Sequence, residues 1–552
     1  MHPLHFWGAA GAATFFAGEL FLVDDFLVEV AEKPVPEAKR QMSREVRSCF
    51  MQLNVVLIKF YSKHYLIIFC RHWKAVIQES ANFNFLLVKI EYASFADLYK
   101  PFKFGILYDQ ISEMEGLNEM KQIGVGILGF GTVGAGVADG LIRNRKTMAE
   151  RLGVEVVLTR IADVDITTDR GISVDRSLLT TDAMSVIQDK AIDVIVELIG
   201  GTGIAKTLVL AALNSGKSVV TANKKLLAEY GDEIFGVAAK NGVDIYFGAS
   251  VGGGIPIIRV LREGLAGNEI QSIHGILNGT CNYILTRMEH EGLAFEEVLA
   301  DAQRAGYAEA NPGLDIDGYD TAHKAIILAS LAYGFHVPMD AVLVEGIRNL
   351  NSMDVKFAAG FGYRIKLLAV IKRDGKQVEV RVSPTLVPLT HMLASVSQVF
   401  NAAMVRGDLS GDTLYYGRGA GREPTASTVI GDIGDVARNI VSGQPRYGRG
   451  VNVANEGKFV MRAASDITSK YYIRLMVLDK AGSLGLMTTT LGRHGVSILA
   501  ATQQEHPESS NVGHVPVVML THDAKASEID CALKEIFDAG VVSEMPVRLR
   551  MI

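Results

Sequence analysis

At 552 residues the chain exceeds one ordinary domain, and roughly two to four globular units are expected. Hydrophobic residues make up 49% and charged residues 21%, the balance of a soluble protein with a sizeable core. A net charge of −6 without a dense Lys/Arg stripe argues against a nucleic-acid partner. Cys49, Cys70, Cys281 and Cys531 lie far apart with no CxxC spacing, which argues against a zinc site or a disulfide framework and suits a reducing cytosol.

The apolar stretch 6–23 contains Glu19, runs into Asp24 and Asp25, and has no Lys or Arg before it. It therefore reads as neither a signal peptide nor a membrane-spanning helix, and no membrane partner is expected. Residues 1–119 hold both tryptophans and more than half of the phenylalanines, and no glycine stands between Gly18 and Gly105. No helical or strand period persists through them. Either this is an added domain of unassigned purpose, or the biological start is Met114 or Met120; the second reading is preferred, because an αβ pattern begins at once after Met120.

From Lys121 the texture becomes strand, turn and helix in alternation. Residues 123–128 read as a short buried strand, 154–162 as a second, and 192–198 and 218–221 as further ones, with a helix over 205–215. This alternation predicts an α/β fold with a parallel, doubly wound sheet. Between the first strand and its helix lie Gly129, Phe130, Gly131, Thr132, Val133 and Gly134. Gly129 allows a tight turn, Gly131 lets a pyrophosphate approach the backbone, and Gly134 lets helix and strand pack closely, so dinucleotide binding is expected. Asp163, at the end of the second strand, can accept hydrogen bonds from ribose hydroxyls and would repel a 2′-phosphate, which leans towards NAD over NADP; the alternative is a solvated loop acid. Gly200 and Gly201 end one strand and Lys224 follows the next, all on the binding edge of such a sheet. Lys225 is next to it, and one of the two lysines is expected to be a plain surface residue.

Beyond Ser250 helices are predicted near 257–265, 281–291, 295–305 and 321–333, and residues 364–372 and 378–384 alternate like strands of a sheet with one exposed face. Residues 443–455 read as a linker. The tail forms a β-α-β-β-α-β pattern, with strands at 472–478, 496–503, 515–521 and 547–551 and helices near 484–493 and 526–538.

The most informative segment runs from Gly306 to Asp320 and on to Lys324. Asp320 and Lys324 are spaced i,i+4 at a helix start and share one face. One reading is an ordinary exposed salt bridge. The other is an acid/base pair, because oxidising an alcohol by hydride transfer requires the hydroxyl proton to leave, and a lysine of lowered pKa beside a carboxylate can take it. Glu309 and Asp315 could anchor an ammonium group. His323 reads as a packed or exposed helix residue rather than a ligand.

Here the run from Ala302 to Lys324, the stretch 249–256, the stretch 276–283, residues 221–224 and the turn 416–421 together resemble the homoserine dehydrogenase family, over about residues 121–552. The resemblance implies NAD- or NADP-dependent hydride transfer between L-homoserine and L-aspartate 4-semialdehyde. It implies that Lys324 is the proton-transfer lysine, Asp320 its carboxylate partner, and Lys224 a lysine touching substrate and cofactor. Glu309 matches the acid that binds the substrate amino group, Asp315 lies in the same pocket, and Gly421 falls where a later glycine turn returns to the nicotinamide side. A monovalent cation held by the carbonyls of Val251, Gly253 and Ile255 is also implied. Gly248 stands where the family's usual glutamate precedes that loop, so such a cation is expected to bind weakly if at all.

The tail resembles an ACT domain, a small amino-acid sensor, although Ala481 stands where a proline is usual; an L-threonine effector follows. The implied organisation is a Rossmann-type domain at 120–248, an α+β substrate and dimerisation domain at 249–445 that returns to the nucleotide domain, a linker at 446–470, and a ferredoxin-like ACT domain at 471–552. A cytoplasmic homodimer or homotetramer is the expected assembly.

Overall fold

The computed structural model describes residues 28–30, 53–60, 63–70, 121–443, 457–503 and 513–552. The chain divides into two compact units, Met1–Asn118 and Glu119–Ile552. In the first, β1 (Val28–Val30), β2 (Leu53–Phe60) and β3 (Lys63–Cys70) form an antiparallel sheet in that order. These strands form although no strand period persists through the sequence: apolar runs such as residues 66–69 do not alternate, and a period-2 reading passes over them. The stretch 6–23, Met114, Met120 and residues 446–456 of the expected linker lie outside the described residues.

The second unit opens on six parallel strands: β4 (Gln122–Leu128), β5 (Glu155–Ala162), β6 (Leu179–Thr180), β7 (Val194–Glu197), β8 (Ser218–Thr221) and β9 (Ile245–Tyr246). Their order is β6-β5-β4-β7-β8-β9. The chain thus winds outward one way from β4 and then the other way from β7, placing the topological switch between those two strands, where open α/β sheets bind ligands. The helix Arg422–Ser442 comes back from far along the chain to pack on Thr132–Arg143, so closely that a Cβ on Gly136 would lie 2.8 Å from Arg422.

A large mixed sheet follows, built on β10 (Ile270–Ile276), β11 (Leu343–Val344), β12 (Tyr363–Asp374), β13 (Gln377–Pro388), β14 (Phe400–Gly407), β15 (Gly411–Arg418) and β16 (Val460–Met461). Its main path runs β15-β14-β10-β12-β13. The predicted exposed face of β12 and β13 is overturned, since both strands are buried along nearly their whole length. Their alternating polar residues point into the protein and are paired there: Arg381 donates to Glu379 at 2.7 Å, and Lys366 to Val396 O at 2.6 Å. Partnered polar groups can be buried at modest cost, so polarity alone misleads about exposure. The helix expected at 257–265 is one α-turn, Ile257–Arg259, followed by a π-helical turn, Val260–Gly264, in which Leu265 N–H reaches Val260 O. Within the expected linker, Val460–Met461 already forms β16.

The tail contributes β17 (Thr468–Leu478), β18 (Ile498–Gln503), β19 (His514–Thr521), β20 (Ala524–Lys525) and β21 (Val547–Met551). The four longer strands lie in the order β21-β17-β19-β18, with the helices Ser483–Arg493 and Ala526–Asp538 packed over them on a core that includes Ile473, Leu475, Met487 and Ile529. This is the β-α-β-β-α-β order read from the sequence. β21 also pairs in parallel with β13, Thr385 opposite Arg550 and Leu386 opposite Met551, so one sheet runs through both parts.

Candidate active site

The glycine turn sits at the switch point. Gly129 has φ +103°, and a Cβ there would lie 2.7 Å from Leu198 C and O, just after β7. A Cβ on Gly134 would lie 2.0 Å from Gly129 O, so helix and strand touch backbone to backbone. A Cβ on Gly131 would meet nothing within 4 Å. Gly131 caps the helix Thr132–Arg143 with no side-chain cap bond and no acid in the first turn. Open space before an uncovered helix N-terminus fits a pyrophosphate, and the residues present are compatible with a dinucleotide.

Asp163 closes the other side of this turn. One carboxylate oxygen accepts the Phe130 N–H, and the other accepts Asp165 N–H at 2.9 Å. Asp165 in turn accepts Thr167 and Thr168 N–H at 3.1 and 3.0 Å and pairs with Arg170 at 3.0 Å. At the carboxyl end of β7 a buried acid that sequence reasoning missed, Glu197, organises the next loop. Its Oε1 accepts Ile199 and Gly200 N–H at 2.9 and 3.0 Å, and its Oε2 accepts the Thr221 hydroxyl at 2.6 Å. Asn223 adds a bond to Gly201 O at 2.6 Å and caps the helix Lys224–Asn241. Glu197 falls inside the strand read over 192–198, and no signal in the sequence sets it apart.

Lys224 opens that helix and reaches out of the nucleotide sheet to Asp320 Oδ1 at 3.0 Å. Asp320 Oδ2 lies 2.7 Å from Lys324 Nζ. Lys324 Nζ also donates to Leu277 O at 2.6 Å. Asn278, which carried no assigned role in the sequence, is the hub: its amide N–H groups bond Asp315 Oδ1 and Asp320 Oδ2, both at 2.8 Å, while its Oδ1 caps the helix Gly279–Glu291 through Cys281 N–H. The Cys281 thiol donates to Asp315 O at 3.2 Å. An Asn ahead of an apolar helical run is an N-cap pattern, the one cue that could have found it.

Asp320 is almost fully buried. Burial pushes its carboxyl up, but the charges of Lys324 and Lys224 outweigh that and hold it below the ordinary carboxylate range. The Asp320 charge raises Lys224, against burial. Burial and the nearby Asp320 charge raise Asp315. The plain exposed salt bridge considered for Asp320 and Lys324 is therefore excluded: both side chains are buried, and both are tied to the nucleotide half through Lys224. His323 is buried, with Nδ1 lacking a partner among the described residues.

Glu309 is exposed and makes no side-chain bond to the cluster; its charge reaches Lys224. Gly421 has φ +119° and turns the chain into the helix Arg422–Ser442. In the loop holding Val251, Gly253 and Ile255, Gly253 O already accepts the Thr428 hydroxyl at 2.7 Å and Ile255 O accepts Ile257 N–H at 2.8 Å. A Cβ on Gly248 would lie 2.9 Å from both oxygens of Asp432, which accepts Gly248 N–H at 2.7 Å. The carboxylate of a distant helix thus crowds the place where a side chain at residue 248 would begin, and two of the three carbonyls already accept a hydrogen bond. No cluster of three or more His, Cys, Asp or Glu among the described residues could hold a metal ion, and no described helix is long and apolar enough to cross a membrane.

Space for a pyrophosphate at the switch point, beside a buried lysine-carboxylate cluster suited to moving a hydroxyl proton, defines a nicotinamide-dependent oxidoreductase. Residues 129–248 match the family model for the homoserine dehydrogenase NAD binding domain, and residues 256–433 match the homoserine dehydrogenase model. The homoserine dehydrogenase of Neisseria gonorrhoeae is 44% identical over 436 residues, covering 78% of this chain and 99% of its own; that of Bacillus subtilis is 38% identical over 442 residues, with the same coverage. The crystal structure of a homoserine dehydrogenase from Thiobacillus denitrificans is similar with a TM-score of 0.73 at 40% identity, covering 78% of this chain and 99% of that one. The chain belongs to the homoserine dehydrogenase family. It uses NAD(P) to interconvert L-homoserine and L-aspartate 4-semialdehyde, a step of amino-acid biosynthesis.

Proposed function

We propose that Lys324 moves the hydroxyl proton of homoserine, that Asp320 and Lys224 hold it in place, and that Asp315 and Glu309 receive the substrate ammonium group. The observation that carries this reading is one buried carboxylate bridging two lysines, 2.7 Å from Lys324 and 3.0 Å from Lys224. Two directions of Lys324 Nζ are taken by Asp320 and Leu277 O. One remains, a lone pair in the oxidation direction and a proton in the reverse. Asn278 keeps two like charges, Asp315 and Asp320, within reach of one another by donating to both.

When bound, the dinucleotide supplies the hydride acceptor. Residues 129–134, Asp163, Gly200 and Gly421 would hold it, with Lys224 at the junction with substrate. NAD is favoured over NADP in this reading, because Asp163 and Asp165 flank the ribose end and the arginine of that loop, Arg170, is paired with Asp165. No step runs through a cation at Val251, Gly253 and Ile255. The tail is read as an ACT domain sensing L-threonine, supported by Gly482 at φ +94° with open space where a Cβ would stand. A cytoplasmic homodimer or homotetramer belongs to the same reading, as do the implied domain limits at 120–248, 249–445 and 471–552.

Lys324→Ala tests the proton role. Turnover of homoserine should fall by about 10²–10⁴-fold while dinucleotide affinity stays near normal. Full turnover, or loss of dinucleotide binding in parallel, would contradict it.

A further inference from the structure

Residues 343–354 take no part in the chemistry above, yet they are gripped at both ends by the C-terminal strands and in the middle by the substrate block. At one end Glu345 accepts Arg550 Nη1 at 2.5 Å, with Arg548 at 3.6 Å, both from β21. The Arg550 side chain is 2% exposed. At the other end Asp354, fully buried, accepts Tyr472 Oη at 2.9 Å and Arg474 Nε at 2.7 Å, both from β17. Between them, Ile347 N–H donates to Ile316 O at 2.7 Å and Arg348 forks onto both oxygens of Asp317 at 2.9 Å. A Cβ on Gly346 would lie 2.3 Å from Ile316 O and 2.5 Å from Asp317 Cα, and one on Gly318 would lie 3.1 Å from Val344. There is no slack between these two stretches of backbone.

We propose that Glu345 and Asp354 are positioning residues through which the C-terminal β-α-β-β-α-β unit sets the spacing of Asp315 and Asp320. The proposal rests on the roles given above to those two acids. Its physical basis is that a shift of β21 or β17 cannot leave residues 343–354 behind without stranding a buried guanidinium or carboxylate, which is strongly unfavourable. A shift of residues 344–348 then carries Ile316, Asp317 and Gly318, the turn that separates Asp315 from Asp320. The glycine turn at 129–134 makes no such bond to this segment. Any ligand held by the C-terminal unit would therefore alter homoserine affinity before dinucleotide affinity.

The test is a double-mutant cycle in the full chain with Glu345→Gln, Arg550→Met and the pair. Each single change should raise the KM for homoserine about fivefold or more, leave the KM for the dinucleotide within about twofold, and the pair should be no worse than the worse single. Should Arg550→Met fail to fold, Tyr472→Phe, which deletes one hydroxyl, should still raise the homoserine KM alone. Unchanged homoserine KM, both KM values rising together, or effects that add would overturn the coupling. If the unaltered enzyme is active while Lys324→Ala keeps full turnover, the failure lies in the assigned roles and not in the coupling.

Discussion

The two halves of the site are made of different materials. The proposed dinucleotide half is backbone: residues 129–134, contiguous in sequence, shaped by the absence of Cβ atoms at Gly129, Gly131 and Gly134. The proposed substrate half is charge: Lys224, Asn278, Asp315, Asp320 and Lys324 arrive from separate segments and hold one another in place. A backbone site tolerates changes of charge and fails when volume is added. A charge site tolerates small changes of shape and fails when one partner is lost, since the remaining charge is left buried and unpaired.

The sharpest separation comes from the glycines. Gly131→Val should abolish dinucleotide binding yet leave the melting temperature nearly unchanged, because its side chain would enter open space meant for pyrophosphate. Gly134→Ala should instead lower the melting temperature, with binding lost only as the fold is lost, its Cβ being 2.0 Å from Gly129 O. Equilibrium dinucleotide binding measured beside thermal unfolding checks both. In the charge half, Asn278→Ala should lower kcat/KM for homoserine by about 10- to 100-fold, the loss of hydrogen bonds to two carboxylates, with dinucleotide affinity kept. A loss confined to dinucleotide affinity would erase the distinction.

Gly248 and Asp432 combine the two materials, and their effect should be the smallest. Burial raises the Asp432 carboxyl to about 7. A carboxyl raised on folding favours the folded state below its unfolded value, near 4, and that contribution is lost as pH rises through about 7. Asp432→Asn should therefore flatten the fall in thermal stability between about pH 4, the unfolded value, and about pH 7, the raised one. An unaltered slope in the variant would assign that pH dependence elsewhere.

This contrast also governs what the sequence revealed. The glycine turn was legible because its residues are adjacent and flanked by a strand and a helix. Asp320 and Lys324 were legible because i,i+4 spacing puts them on one helix face. Asn278 was not, as its bonds to Asp315 and Asp320 span 37 and 42 residues. Glu197 falls inside the buried strand read over 192–198, where nothing marks it from the sequence alone. In β12 and β13 the alternation was read correctly and its meaning was not: Lys366 and Arg381 point inward and are paired, which no single-strand pattern reports. The proposed coupling segment is irregular chain over 345–351, between a two-residue strand and the helix Ser352–Gly360, and its contacts are long-range.

The central claim is that the Lys324 amine carries the proton. The most direct measurement is chemical rescue of Lys324→Ala by small primary amines, following reduced nicotinamide during homoserine oxidation. Turnover should rise with amine concentration and with amine basicity, towards but not reaching that of the unaltered enzyme. A variant that turns over at the full rate with no amine added would contradict the claim.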